Sequence, residues 1–205
     1  MELAELVESR RFLGSEFLLW LWYKSDCYGG LFELRGHGEV EVVFDDRLTL
    51  EAYLGEAGQN VIKGGTPADS KEARTALREG KRPTRARLRI VKDGREWKFK
   101  FKAEPFDIST LKIPAVLTDR EDEKLEERMG LVSEVESILD ALYREFLSLR
   151  TGSVWSDRMV PAIRDWIEAE GAARPDDYPD DALEEAYREE MSGEGPTETR
   201  ASESA

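Results

Sequence analysis

The residues of this 205-residue chain best suited by type and spacing to do chemistry are six cations. Across Thr84–Lys102, basic side chains recur at every second position on both sides of Asp93-Gly94. Asp-Gly is a strong two-residue hairpin signal. With these residues as the turn, Lys92 faces Arg95, and that register sets every other pair. One face pairs Ile90 with Trp97, Leu88 with Phe99 and Ala86 with Phe101. The other pairs Arg89 with Lys98, Arg87 with Lys100 and Arg85 with Lys102. Like charges directly opposite one another destabilise a sheet, so this ladder of cations requires counter-charge. Glu39, Glu41 and Glu51 on neighbouring strands would supply it and leave a solvated face. A polyanion would supply it too, its backbone phosphates meeting the six cations without base readout.

A second pattern lies on the same strand. Glu96-Trp97-Lys98 matches the E-x-K of metal-dependent nucleases, in which acid and lysine share a face and an upstream Asp completes the metal site. Asp45 or Asp46 would be that upstream acid. Short patterns of this kind arise by chance in charged strands, and the cation ladder already accounts for Lys98. Other catalytic signals are sparse. One Cys and one His exclude an intrachain disulfide, a cysteine zinc cluster and a multi-histidine metal site. His37 sits in Gly36-His37-Gly38 and reads as a loop residue. Cys27 follows an apolar helix and reads as a packed thiol. Gly64-Gly65 reads as a loop without the lysine of a phosphate cradle. No cofactor and no metal ion is expected.

Charge is distributed unevenly along the chain. Against a net charge of −14, Lys71–Lys102 holds 13 basic and 4 acidic residues. Residues 171–205 hold 11 acidic and 3 basic residues and few large apolar ones. That stretch reads as a disordered, solvated acidic tail, with a turn or two of helix around Ala182–Met191. Residues 1–170 read as one α+β domain.

The elements that position the ladder follow from periodicity. Leu3, Leu6 and Val7 share a helical face. They lead into an apolar block from Phe12 to Tyr23 that is central to a core, and Gly29-Gly30 stops it. This block is too short and too closely flanked by charge to span a bilayer, and it lacks the marks of a signal peptide. Glu39–Phe44 and Arg47–Glu51 alternate as strands, with Asp45-Asp46 read as a turn between them; Gln59–Lys63 reads as a further strand. Asp69–Glu79 reads as a short helix capped by Asp69 or Ser70 and stopped by Gly80. Leu125, Val132, Leu139 and Phe146 repeat every seven residues, with Val135, Leu142 and Leu149 in the second seam. Asp119–Arg150 is therefore a helix of about 48 Å at 1.5 Å per residue. A helix spaced by Trp155, Met159, Ile163 and Trp166 follows the turn Thr151-Gly152-Ser153. The two make a helix hairpin packing on the sheet, or the long helix of 119–150 offers a seam to a second copy or another protein.

The run Phe12-Leu13-Gly14-Ser15-Glu16-Phe17-Leu18-Leu19-Trp20-Leu21-Trp22-Tyr23 resembles a motif of long bacterial RdgC-like, recombination-associated proteins, at the start of their C-terminal half. Arg47–Glu51 is similar to their TLTLE strand. Glu72-Ala73-Arg74 with Leu77-Arg78-Glu79-Gly80-Lys81 is similar to their helix and turn. The resemblance covers roughly residues 8–170. It implies a non-enzymatic accessory protein that associates with duplex DNA without strong sequence preference, cytoplasmic and close to the nucleoid. It transfers no catalytic residue. The contrasting expectation is an acidic protein-interaction or dimerisation module with no nucleic-acid contact.

Overall fold

The computed structural model describes residues 3–52, 59–63 and 71–169, with side chains in the first helix from residue 13 on. The glycine pair at 64 and 65, the caps read at 69 and 70, the apolar face at residues 3, 6 and 7 and the acidic tail lie outside what is described. The chain runs α1 (Leu3–Cys27), β1 (Leu31–Leu34), β2 (Gly38–Ala52), β3 (Gln59–Lys63), α2 (Lys71–Arg78), β4 (Lys81–Lys92), β5 (Arg95–Lys102), β6 (Asp107–Lys112), α3 (Glu121–Thr151) and α4 (Val160–Glu168). A single π-helical turn, Trp155–Met159, leads into α4. This is the expected α+β class, with a fully antiparallel sheet ordered β1-β2-β4-β5-β6 and β3 beside the second half of β2.

The β4–β5 hairpin has the register set by its turn. Asp93 and Gly94 both adopt positive φ, 51° and 71°, as a tight turn matched to strand twist requires. Ile90 faces Trp97, Leu88 faces Phe99 and Ala86 faces Phe101, and all six are buried. Burying an aromatic or branched side chain contributes about 1.5–3 kcal/mol, so this face anchors the sheet to the helices. α1 lies against β4 and β2. Its Gly14 passes so close to the β5–β6 connection that a Cβ there would sit 2.0 Å from the Ala103 carbonyl oxygen. The glycine of the aromatic motif is thus a contact requirement, and any side chain would force the helix off the sheet.

One expectation is corrected. Asp45-Asp46 is not a turn: β2 runs unbroken through both predicted segments. Phe44 pairs with Leu88 and Leu48 with Ala86, so Asp45, Asp46 and Arg47 together oppose Arg87 alone. The apolar residues on either side, Val40, Val42 and Phe44, then Leu48 and Leu50, are all buried. The twelve-residue β4 holds both sets on one face. A bulge absorbs the extra residues without reversing the chain. Two short edge strands, β1 and β6, carry too little alternation to be read beforehand.

The helices are fastened to the hairpin and to each other by polar groups. The Trp97 indole donates to the Leu131 carbonyl of α3 at 2.9 Å. At the hairpin tip Lys92 and Arg95 both donate to Glu134 at 2.7–2.8 Å. Partial burial pushes the Glu134 carboxyl up, but those two cations outweigh it and hold the group below its usual range. From Leu131 onward the apolar stripe of α3 packs into the core of this same chain. α4 rests on α1 and α2. There Asp26 accepts from buried Arg74 at 2.8 Å and from the Trp166 indole at 2.6 Å. Arg78 caps the end of α4 by donating to the carbonyls of Ile167, Glu168 and Ala169. No helix among the described residues is long and apolar enough to cross a membrane.

Candidate functional site

The two-residue alternation that buries Trp97, Phe99 and Phe101 turns the six ladder cations to the opposite face of the sheet. Arg89 faces Lys98, Arg87 faces Lys100 and Arg85 faces Lys102. The structure brings all six together, and the β2 bulge divides them into two unlike halves.

Near the turn the cations are compensated. The bulge lifts Asp45 and Asp46 over the ladder. Asp46 accepts from Arg87 at 2.8 Å, and Asp45 lies 3.9 Å from the Arg89 Nε. Glu96, on β5 itself, takes Arg89 at 3.3 Å and Lys98 at 2.8 Å. The Lys98 hydrogen bond, helped by Arg89 and opposed by slight desolvation, holds the Glu96 carboxyl below its usual range. The counter-charges differ from those anticipated. Glu51 does reach the ladder, at 3.9 Å from Arg85. Glu39 and Glu41 lie toward the β1 edge, opposite Glu33 and Leu31, and make no ion pair among the described residues.

Away from the turn, apart from the Glu51 contact of Arg85, the cations are open. Arg47, Arg85, Lys100 and Lys102 surround a cavity of about 390 Å³ whose floor includes Thr49 and whose edge includes Ser109. Among the described residues no carboxylate lines it. The side chains of Arg47, Lys100 and Lys102 make no ion pair or hydrogen bond among the described residues, and all three are exposed. A second hollow of about 440 Å³ adjoins it and is shared by Asp45, Asp46, Arg87, Lys98, Lys100 and Lys112. Lys112 enters because β6 pairs with β5 and sets it opposite Lys98. Four close cations with two hydroxyls can hold phosphate oxygens by charge-assisted hydrogen bonds. No aromatic ring among the described residues points from this face, so the hollow has no stacking platform for bases.

Sequence reasoning missed Arg47 and Lys112. Arg47 was detectable, since it shares parity with Thr49 and Glu51; reading the acids before it as a turn concealed that. Lys112 depends on β6, whose residues 107–112 do not alternate. Of the nuclease pattern, Glu96 and Lys98 do share a face. Asp45 and Glu96, however, converge on the Arg89 guanidinium. Among the described residues no three His, Cys, Asp or Glu side chains are grouped to hold a metal ion. His37 stands beside α3, its Nε2 3.1 Å from the Ser137 hydroxyl, and Cys27 is buried in the core.

One apolar surface competes for attention. Leu125 and Met129, on the first turns of α3, are 62% and 63% exposed, and Leu117 just before them is 87% exposed. Of these, Leu125 is the first position of the predicted seam, and it is left exposed. No family model matches the chain, and a search of curated proteins finds no significant match.

Proposed function

We propose that this protein is a non-enzymatic accessory factor that contacts the phosphate backbone of duplex DNA through the outer face of its sheet. The observation that carries this reading is the hollow among Arg47, Arg85, Lys100 and Lys102, lined by no carboxylate among the described residues. Arg47, Lys100 and Lys102, without an ion pair among the described residues, converge on one concavity in a chain of net charge −14, and their self-repulsion is a cost that a bound anion removes. The lack of exposed aromatic rings on this face among the described residues, together with its cations and hydroxyls, favours backbone contact over base reading. The resemblance to RdgC-like proteins points the same way and supplies recombination as the process. The test is binding of the full chain to labelled duplexes of unrelated sequence across a salt series. Similar affinities that fall steeply with salt are expected. Absence of binding at low salt would overturn the reading.

The second reading is a protein-interaction or self-association module, and the exposed Leu117, Leu125 and Met129 favour it. Sedimentation of wild type and of Leu125→Ser/Met129→Ser distinguishes the two. This reading requires a complex that the substitutions dissolve. The DNA reading requires duplex affinity to be unchanged by them.

A further inference from the structure

Beside the end of α4 lies a groove of about 550 Å³ formed by α1, α2, α4 and the start of β4. Its floor is apolar, with Leu19, Leu77, Ile163 and Ile167 among its lining. Its rim is mainly basic, with Arg78, Arg82, Arg150 and Arg164, of which Arg78 already donates to the last carbonyls of α4. Two acids share that rim, Glu16 and Glu168, and Glu16 is already held by Arg150 at 2.7 Å. Arg164 is exposed, and its side chain makes no ion pair or hydrogen bond among the described residues. Such a groove fits a segment with regularly spaced apolar side chains flanked by carboxylates.

The chain carries one such segment close by in sequence. Residues 180–191 contain six acidic residues and one basic residue, and Leu183, Tyr187 and Met191 recur at every fourth position. That spacing places apolar side chains on one side of a helix. α4 ends at Glu168, itself on the rim of the groove. From Ala169 to Ala182 the chain can span about 40 Å, enough to fold back, and such a tether gives an effective concentration on the order of millimolar.

We propose that this groove is the docking site for residues 180–191 of the same chain. Leu183 and Tyr187 occupy the apolar floor, and the acids meet Arg164 on the rim. The rest of the acidic segment is thereby held on the helix side of the domain, away from the cationic hollow of the sheet. This assignment rests on the groove and the following sequence alone and stands whether or not the sheet binds DNA.

The test is hydrogen exchange of the full 205-residue chain, read by mass spectrometry at two protein concentrations. It compares wild type with Arg164→Glu and with Leu183→Ser/Tyr187→Ser. Arg164 is exposed and holds no partner among the described residues, so its substitution leaves the fold intact. The expected result is exchange in 182–191 slowed about tenfold or more relative to an unstructured peptide. That slowing is lost in both variants and is the same at both concentrations. In the Leu183/Tyr187 variant, uptake in 160–168 rises as well. Unstructured-peptide rates in wild type would overturn the proposal. So would slowing that survives Arg164→Glu, or slowing that grows with concentration, which would identify a second copy as the source.

Discussion

The inner and outer faces of the β4–β5 hairpin come from one alternation and obey different physics. On the inner face Trp97, Phe99 and Phe101 are all buried, because apolar burial needs only that the side chains share a side. On the outer face the same rule delivers six cations to one side, yet their state is decided elsewhere. Four are compensated: Arg87, Arg89 and Lys98 by Asp45 and Asp46 from a bulge in β2 and by Glu96 from β5, and Arg85 more loosely by Glu51. Local pattern selects which side chains share a face, and the geometry of a neighbouring strand selects which charges remain available.

The contrast breaks most visibly through the core. Phe99→Ala should cost about 3–5 kcal/mol, the range for removing a buried aromatic side chain. Its cross-face neighbour Lys100→Ala should change stability by no more than about 0.5 kcal/mol. Denaturant melts of the two variants measure this, and comparable losses would mean that the faces are not distinct.

Charge on the inner side should behave oppositely to charge on the outer side. Glu145 of α3 is buried, and desolvation, opposed by the charge of Lys24, raises its carboxyl to about 7. An unfolded chain releases that proton near pH 4.5 and the folded one near 7, so stability falls as pH rises between these values and is flat beyond. The difference corresponds to about 3 kcal/mol at most. Glu145→Gln should therefore stabilise the protein at pH 8 by up to that amount and change little at pH 4. Melting temperatures at the two pH values check it, and a stabilisation larger at pH 4 would contradict the sign.

A smaller effect sharpens the division of the outer face. Asp45→Asn/Asp46→Asn/Glu96→Gln should free Arg87, Arg89 and Lys98 and extend the cationic hollow toward the turn. Duplex affinity should rise by about tenfold at low salt and the salt dependence should steepen. Anisotropy titration reads both, and unchanged affinity would show that the compensated half is not beside the binding surface.

The hairpin was legible in the sequence because Asp93-Gly94 and two-residue alternation are local signals that agree. The aromatic block of α1 and the seven-residue repeat of α3 were legible for the same reason. The candidate site was half legible. Arg85, Lys100 and Lys102 followed from parity. Arg47 did not, because two adjacent acids look alike in a turn and in a bulge, and only the buried pairs Phe44–Leu88 and Leu48–Ala86 decide between them. The pairing of Asp46 with Arg87, 41 residues apart, has no local signature.

The salt dependence of duplex binding by the full chain, with and without Arg47, Lys100 and Lys102, tests the cationic hollow most directly. Wild type should lose affinity with a log–log slope of about −3 to −4, as three or four phosphate contacts would give. The triple Arg47→Ser/Lys100→Ser/Lys102→Ser variant should bind about a hundredfold more weakly and flatten that slope by about three units, evenly across sequences. A triple variant that binds with the wild-type slope would contradict the assignment of the hollow as the site of phosphate contact.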